Sequence, residues 1–426
     1  MSDRARELLA LRQRGLSLDQ IAQRLGMDST DVAVELATVL LGQTKSVSPL
    51  EPEAQAPVDR KVDTGEVLLG LEPHTSAPVY WSPTKANNPH LMVMGQSGTG
   101  KTYAIQCILL ELLKLGVPSV VLDYGQGFNL SSAEPEFRDA AQISEIWVGR
   151  DGVNLNPLSI RSSDVNGPKN VAVRIAGIFK RIYGGLGEIQ HHLLVDAILE
   201  AFRRRHIYPD QPGTWGRPLP NMDELCTVLS DWASDEENPS RVTVDKLRSH
   251  LGTFFMYGTF TSEGAAFQWE DHLASKGVTI LQLKGLDGQT PWVVTEFLLW
   301  DLFSFLESVG PTKALRLFVV LDEAHNLDFG KGTPVDKIVR ESRKFGLGMI
   351  LASQNPKDFS ESTLLNVASK LVFYVDDEGA AQRLSKSARL DKAVIGETIA
   401  SLQRGSALFI SENRGTVCSI LGLSQR

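Results

Sequence analysis

Gly95-Gln96-Ser97-Gly98-Thr99-Gly100-Lys101-Thr102 matches every fixed position of the pattern G-x-x-x-x-G-K-[ST]. That spacing is suited to cradling phosphate. Backbone N–H groups of a Gly-rich turn converge on an anion where side chains do not crowd them, and the N-terminus of the next helix adds the positive end of its dipole. Lys101 is then placed to reach the β- and γ-phosphates of ATP, and Thr102 to offer its hydroxyl to Mg2+. A second constellation lies far downstream, where the apolar run Leu317–Leu321 ends in Asp322 and Glu323, the arrangement called Walker B. Asp322 is suited to holding the metal ion through water and Glu323 to activating the attacking water. Gln354 closes another apolar run, 347–353, where an amide can orient that water or sense the γ-phosphate. Asp123 ends the run 119–122, at the carboxyl end of a strand where open α/β sheets bind their ligands.

These groups need parallel strands to bring them together. The run Leu91–Met94 predicts a buried strand leading into the phosphate loop, and residues 103–115 predict a helix stopped by Gly116. Further strands are predicted at 119–123, 142–148, 277–283, 317–321, 347–353 and 371–375. Helices are predicted over 171–205 with a break at 183–187, and over 221–232, 243–255, 291–307, 335–345 and 377–384. Residues 209–220 form a Pro- and Gly-rich loop, and the tail 407–423 alternates like a hairpin turning around Asn413-Arg414-Gly415.

The chain of 426 residues suffices for one large α/β domain with a small appendage, and 42% hydrophobic with 22% charged residues is the composition of a globular protein. No apolar run is long enough to span a bilayer, and Met1-Ser2-Asp3-Arg4 does not open a signal peptide, so the expectation is a cytoplasmic protein without membrane insertion. Cys107, Cys226 and Cys418 have neither disulfide-framework nor zinc spacing and read as buried small apolar residues. The net charge of −8 argues against a uniformly basic surface but leaves room for a local basic channel.

Residues 1–42 read as three short helices, with Ser17 and Ser29 as caps and Gly15 and Gly26 as stops, in the spacing of a helix-turn-helix. Residues 28–41 contain no Lys or Arg to meet DNA, so a protein-docking module and a DNA reader both fit. Residues 43–61 are a Pro- and Ser-containing linker, and 62–87 a short β-hairpin region acting as a lid.

From Asn88 to the C-terminus the order of motifs resembles the HerA/FtsK superfamily of ATP-driven DNA pumps, and more closely its HerA-like branch. The resemblance rests on Asn88-Pro89-His90, Asp123, Leu186-Gly187-Glu188-Ile189-Gln190 and Leu321-Asp322-Glu323-Ala324-His325. Its most specific part is Glu341-Ser342-Arg343-Lys344-Phe345-Gly346-Leu347-Gly348 leading into Ala352-Ser353-Gln354-Asn355-Pro356. Asp322-Glu323-Ala324-His325 also spells the motif of DEAH-box helicases, but those need two tandem nucleotide-binding folds and this chain has one phosphate loop.

The resemblance implies an α/β fold: a RecA-like P-loop NTPase core over 88–426, with a helical insertion at about 165–275, behind the small all-α module. It implies a hexameric ring that hydrolyses ATP with Mg2+ to translocate double-stranded DNA, beside a separate nuclease or other effector in repair or anti-phage defence. Arg343 becomes the leading candidate for a γ-phosphate contact, ahead of Lys344, Arg340, Arg150 and Arg404. Two departures stand out: Pro89 occupies a position where relatives often carry a trans-acting Arg, and where they commonly continue Asp-x-x-Gly-Glu-aromatic this chain has Asp123-Tyr124-Gly125-Gln126-Gly127-Phe128 and no Glu. Two other readings remain open: a soluble ATPase energising conjugation or secretion, and an ATP-switched regulator that binds DNA or protein.

Overall fold

A computed structural model of the chain describes residues 18–25, 32, 65–330 and 332–426. Most of the three-helix reading of 1–42, and all of the linker 43–61, lie outside the described residues. Within them, α1 (Leu18–Leu25) occupies the interval between Ser17 and Gly26 and buries Ala22.

The runs read as strands pair into one sheet of eleven, in the order Pro78–Trp81, Val67–Leu71, Arg414–Ile420, Ser406–Ser411, Ser369–Val372, Leu91–Met94, Leu347–Ser353, Leu317–Leu321, Ser119–Asp123, Val278–Gln282 and Ser144–Trp147. Its parallel half comprises β3 (Leu91–Met94), β4 (Ser119–Asp123), β5 (Ser144–Trp147), β8 (Val278–Gln282), β9 (Leu317–Leu321), β10 (Leu347–Ser353) and β11 (Ser369–Val372). The central strands are buried on both faces, which is why they read as continuous apolar runs rather than alternating ones. Met92 and Met94 face one core, while Leu91 and Val93 face another beneath α2 (Lys101–Lys114).

The antiparallel half begins at β12 (Ser406–Ser411), which pairs with β11, and continues through β13 (Arg414–Ile420) to β1 (Val67–Leu71) and β2 (Pro78–Trp81). The hairpin expected as a lid is therefore the outer edge of the main sheet, because β1 pairs with β13 at Gly70↔Ile420 and Leu71↔Ser419. The turn of the terminal hairpin is Glu412-Asn413, both in the left-handed region (φ 50° and 61°), with Arg414 already paired to Ser411. Two consecutive positive φ values suit the two-residue turn that matches strand twist.

Between β5 and β8 the chain adds a short parallel pair, β6 (Val153–Asn154) and β7 (Ala265–Ala266), around a helical insertion. The insertion comprises α3 (Pro168–Ile182), α4 (Glu188–Arg204), α5 (Met222–Ser234) and α6 (Arg241–Tyr257). It packs on α7 (Thr290–Val309) through edge-to-face contacts among Phe179, Phe254 and Phe297. Buried carboxylates on α7 fix its position: Arg181 donates to Glu296 at 2.5 Å, and Asp301 accepts from Arg161 Nε at 3.0 Å and from Trp269 Nε1 at 2.9 Å. Three helices then complete the core, α8 (Pro334–Glu341), α9 (Glu361–Asn366) and α10 (Glu378–Ala388), followed by α11 (Lys392–Ser401). Cys107 and Cys418 are buried as expected, whereas Cys226 on α5 is partly exposed.

Candidate nucleotide site

The phosphate loop leaves the carboxyl end of β3 and enters α2 at Lys101. All three of its glycines have positive φ, Gly98 at 79°. Gly100 precedes α2 with φ 111°, and a Cβ on Gly95 (φ 154°) would stand 2.5 Å from Cβ of Phe373. No side chain caps α2, so its first N–H groups are available to an anion. The loop is held from outside: Gly95 N–H donates to Ser353 O (3.3 Å), Gln96 N–H to Tyr374 O (2.9 Å), and Thr99 O accepts from Gly405 N–H (3.1 Å). Ser97 and Gly98 lie at its tip, where a Cβ on Gly98 would meet nothing. Lys101 Nζ donates to the carbonyls of Gly95 (2.5 Å) and Gln96 (3.0 Å), folded back onto the loop.

Three parallel strands deliver the acids and the amide to the same end of the sheet. β9 and β10 flank the site in register with β3: Ser353 pairs with Met94, and Leu351 with Leu321. Asp322 is buried, and its carboxyl is pushed up to about 7 by burial first, then by the charges of Asp123 and Glu323, with Lys101 opposing. Lys101 is lowered by burial, against the pull of Glu323 and Asp322. Thr102 abuts Gly127, where a Cβ would stand 2.7 Å from Thr102 Cγ2. Gln354 follows directly on β10 and is exposed, and Asn355 beside it is anchored by its side chain to Asp377 at 2.7 Å.

Asp123 does a different job from the one its strand-end position suggests. Its Oδ1 accepts from the backbone N–H groups of Gly125 and Gln126 (both 2.9 Å), and its Oδ2 from Phe128 N–H (3.0 Å) and Gln282 Nε2 (3.1 Å). A carboxylate saturated in this way shapes the 125–128 turn that packs on Thr102, rather than meeting a nucleotide itself. Gln126 in that turn accepts from Lys284 Nζ at 2.9 Å, a contact the sequence did not signal.

Arg343 is not brought to this end at all. It lies just before β10, and the seven residues of that strand at ~3.3 Å each separate it from its own phosphate loop by about 20 Å. Arg343 donates to the carbonyl of Asn87 beside Pro89. With Arg340, Lys344 and Lys313 it lines a groove of about 840 Å³ at the amino ends of the strands. A contact with the γ-phosphate bound to the same chain is therefore ruled out by distance. Arg150 is paired with Asp151 at 2.6 Å, whereas Arg404 adjoins Gly405, which touches the phosphate loop.

The parallel sheet, the glycine cradle and the two acids define a P-loop nucleotide-binding α/β protein. Residues 63–301 match the family model described as the central domain of helicase HerA, and the chain belongs to that family. It is 24% identical over 376 residues to the DNA double-strand break repair helicase HerA of Pyrococcus furiosus, a match covering 76% of this chain and 63% of that one. The HerA of Sulfolobus acidocaldarius is 21% identical over 345 residues, covering 75% and 62%. The chain thus spans a little over three fifths of the length of these relatives. Among solved structures, VirB4 of Thermoanaerobacter pseudethanolicus shares the fold with a TM-score of 0.68 at 18% identity, covering 84% of this chain and 97% of that one.

Proposed function

We propose that the chain is an ATP-hydrolysing motor that assembles head to tail into a ring, a hexamer by family resemblance, and moves double-stranded DNA. The observation that carries this reading is the separation of the chemistry: Lys101, Thr102, Asp322, Glu323 and Gln354 gather at one end of the sheet and Arg343 stands at the other. A head-to-tail neighbour supplies the missing cation, and such a heterologous contact closes into a ring when its rotation permits. The likeness to HerA repair helicases supports DNA as the cargo. A separate nuclease or effector in DNA repair or anti-phage defence, which the family resemblance implies, completes the proposal. No described helix is long and apolar enough to cross a membrane.

The residues fit Mg2+ as well as ATP. Thr102 offers a hydroxyl and Asp322 a carboxyl raised by burial and then by the charges of Asp123 and Glu323, hard oxygen donors of the kind a divalent cation takes. Bound there, Mg2+ would neutralise charge on the phosphates. The loop N–H groups and Lys101 orient the phosphates, Glu323 takes a proton from the attacking water, and Gln354 orients that water. A neighbour's Arg343 then meets the charge that develops in the transition state.

Steady-state ATP hydrolysis with and without long double-stranded DNA, at low and at higher salt, tests the proposal. Stimulation by DNA that fades with salt is expected, because phosphate contacts release counterions. Hydrolysis indifferent to DNA at both salts would overturn DNA as the cargo, and no hydrolysis at all would overturn the motor.

A further inference from the structure

Glu323 leaves β9 with φ 53° and ψ 42°, a left-handed conformation uncommon for a residue with a Cβ. The turn Ala324–Asn326 that follows is a single 3-10 turn, and it brings the side chain of His325 back against that of Glu323. His325 Nδ1 stands 3.1 Å from Glu323 Oε2. That oxygen is closed off from solvent, although the Glu323 side chain as a whole is 33% exposed and His325 34%. The two ends of the carboxylate therefore have different surroundings: Oε2 faces the protein and the imidazole, and the exposed part of the side chain lies elsewhere.

We propose that His325 is the positioning residue for Glu323, holding one carboxylate oxygen so that the other is presented to the attacking water. This rests on the reading of Glu323 as the hydrolytic base. A glutamate has three side-chain torsions, and a base off its productive geometry by about an ångström can lose a hundredfold in rate. The charges near Glu323 do not supply that precision, since Lys101 attracts it and Asp322 repels it without fixing a rotamer. At 3.1 Å, Nδ1 is within reach of Oε2 after a small turn of the ring. The left-handed backbone at Glu323 has a purpose on this reading, because it directs the next turn so that residue 325 faces residue 323.

The test is steady-state hydrolysis by the full chain carrying His325→Ala, His325→Asn, Glu323→Gln, or Glu323→Gln with His325→Ala. His325→Ala is expected to lower kcat by about tenfold or more with KM for ATP within about twofold. His325→Asn, whose amide nitrogen can occupy the place of Nδ1, is expected to recover most of the rate. In the Glu323→Gln background His325→Ala is expected to cost nothing further, since the group it positions is gone. A His325→Ala variant with wild-type kcat, a loss confined to KM, no recovery in His325→Asn, or full additivity with Glu323→Gln would each overturn the proposal. A wild-type chain that binds ATP without hydrolysing it would overturn both this role and the motor reading, an outcome visible before any variant is made.

Discussion

The two ends of the parallel strands differ in kind. At the carboxyl end, β3, β9 and β10 lead into a glycine loop, two acids and an amide, and Asp322 there is raised to about 7 by burial first and then by the charges of Asp123 and Glu323. At the amino end, Arg340, Arg343 and Lys344 ring a groove with Pro89 at its wall, and His90 is sunk beneath it, lowered to about 4 by burial. Strand direction alone produces the contrast. Arg343 and the phosphate loop of the same chain lie about 20 Å apart along β10, and the proposed head-to-tail contact would bring one subunit's arginine to its neighbour's loop.

The largest expected effect breaks the carboxyl end. Lys101→Ala and Glu323→Gln should each lower ATP hydrolysis by about a hundredfold or more, and turnover near wild type in either would remove the site from this cleft. Breaking the amino end should cost a similar or somewhat smaller factor: Arg343→Ala is expected to lose about a hundredfold in kcat while binding ATP normally. The comparison is sharpened by mixing Arg343→Ala with Lys101→Ala. Each variant is defective alone, yet an interface pairing the intact phosphate loop of the first with the intact arginine of the second should work. Partial recovery on mixing is expected, and its absence under conditions where subunits exchange would rule out the trans role.

Smaller effects come from the buried groups at the amino ends. Lys370, at Met92 on the neighbouring strand, is lowered to about 8 by burial, with its Nζ donating to Val367 O at 2.8 Å. The penalty for holding it charged is fully present below pH 8 and is relieved as pH rises toward its unfolded value of 10.5. Lys370→Met should therefore stabilise the fold by ~1–3 kcal/mol at pH 7, with a gain that shrinks above pH 8 in denaturant titrations. His90 accepts from Met349 N–H at 3.1 Å and stays neutral when folded. Between pH 6.5 and 4 the unfolded chain takes up a proton that the folded one refuses, so stability falls as pH drops through that window. His90→Gln should flatten that part of the pH profile by up to ~3 kcal/mol relative to wild type; an unchanged slope would show that His90 is not the group responsible.

The phosphate loop and the Asp322-Glu323 pair were legible in the sequence because their chemistry depends on short, fixed spacings and on apolar runs that can only be buried strands. The insertion was legible for a similar reason: the helices of 168–182 and 188–204 meet at a break marked by Gly184, Gly185 and Gly187. What the sequence concealed was contact between distant segments. Nothing local to Val67–Leu71 announces a partner strand at Arg414–Ile420. Asp123 showed its position but not its partners, since three of the four are backbone N–H groups of its own turn. Arg343 was recognised by its neighbours in sequence, yet its distance from the loop follows from strand polarity. The short helices α9 and α11 lacked the length for a clear period, α11 having ten residues of mixed character.

The phosphate loop is tied at three points, to the ends of β10 and β11 and to Gly405 at the start of β12. Thr99 is bonded to Gly405, which is itself bonded to Ile420 at the far end of β13, and β13 is paired with the β1–β2 edge. The four antiparallel strands thus form one hydrogen-bonded path from the phosphate loop to the outer margin of the sheet.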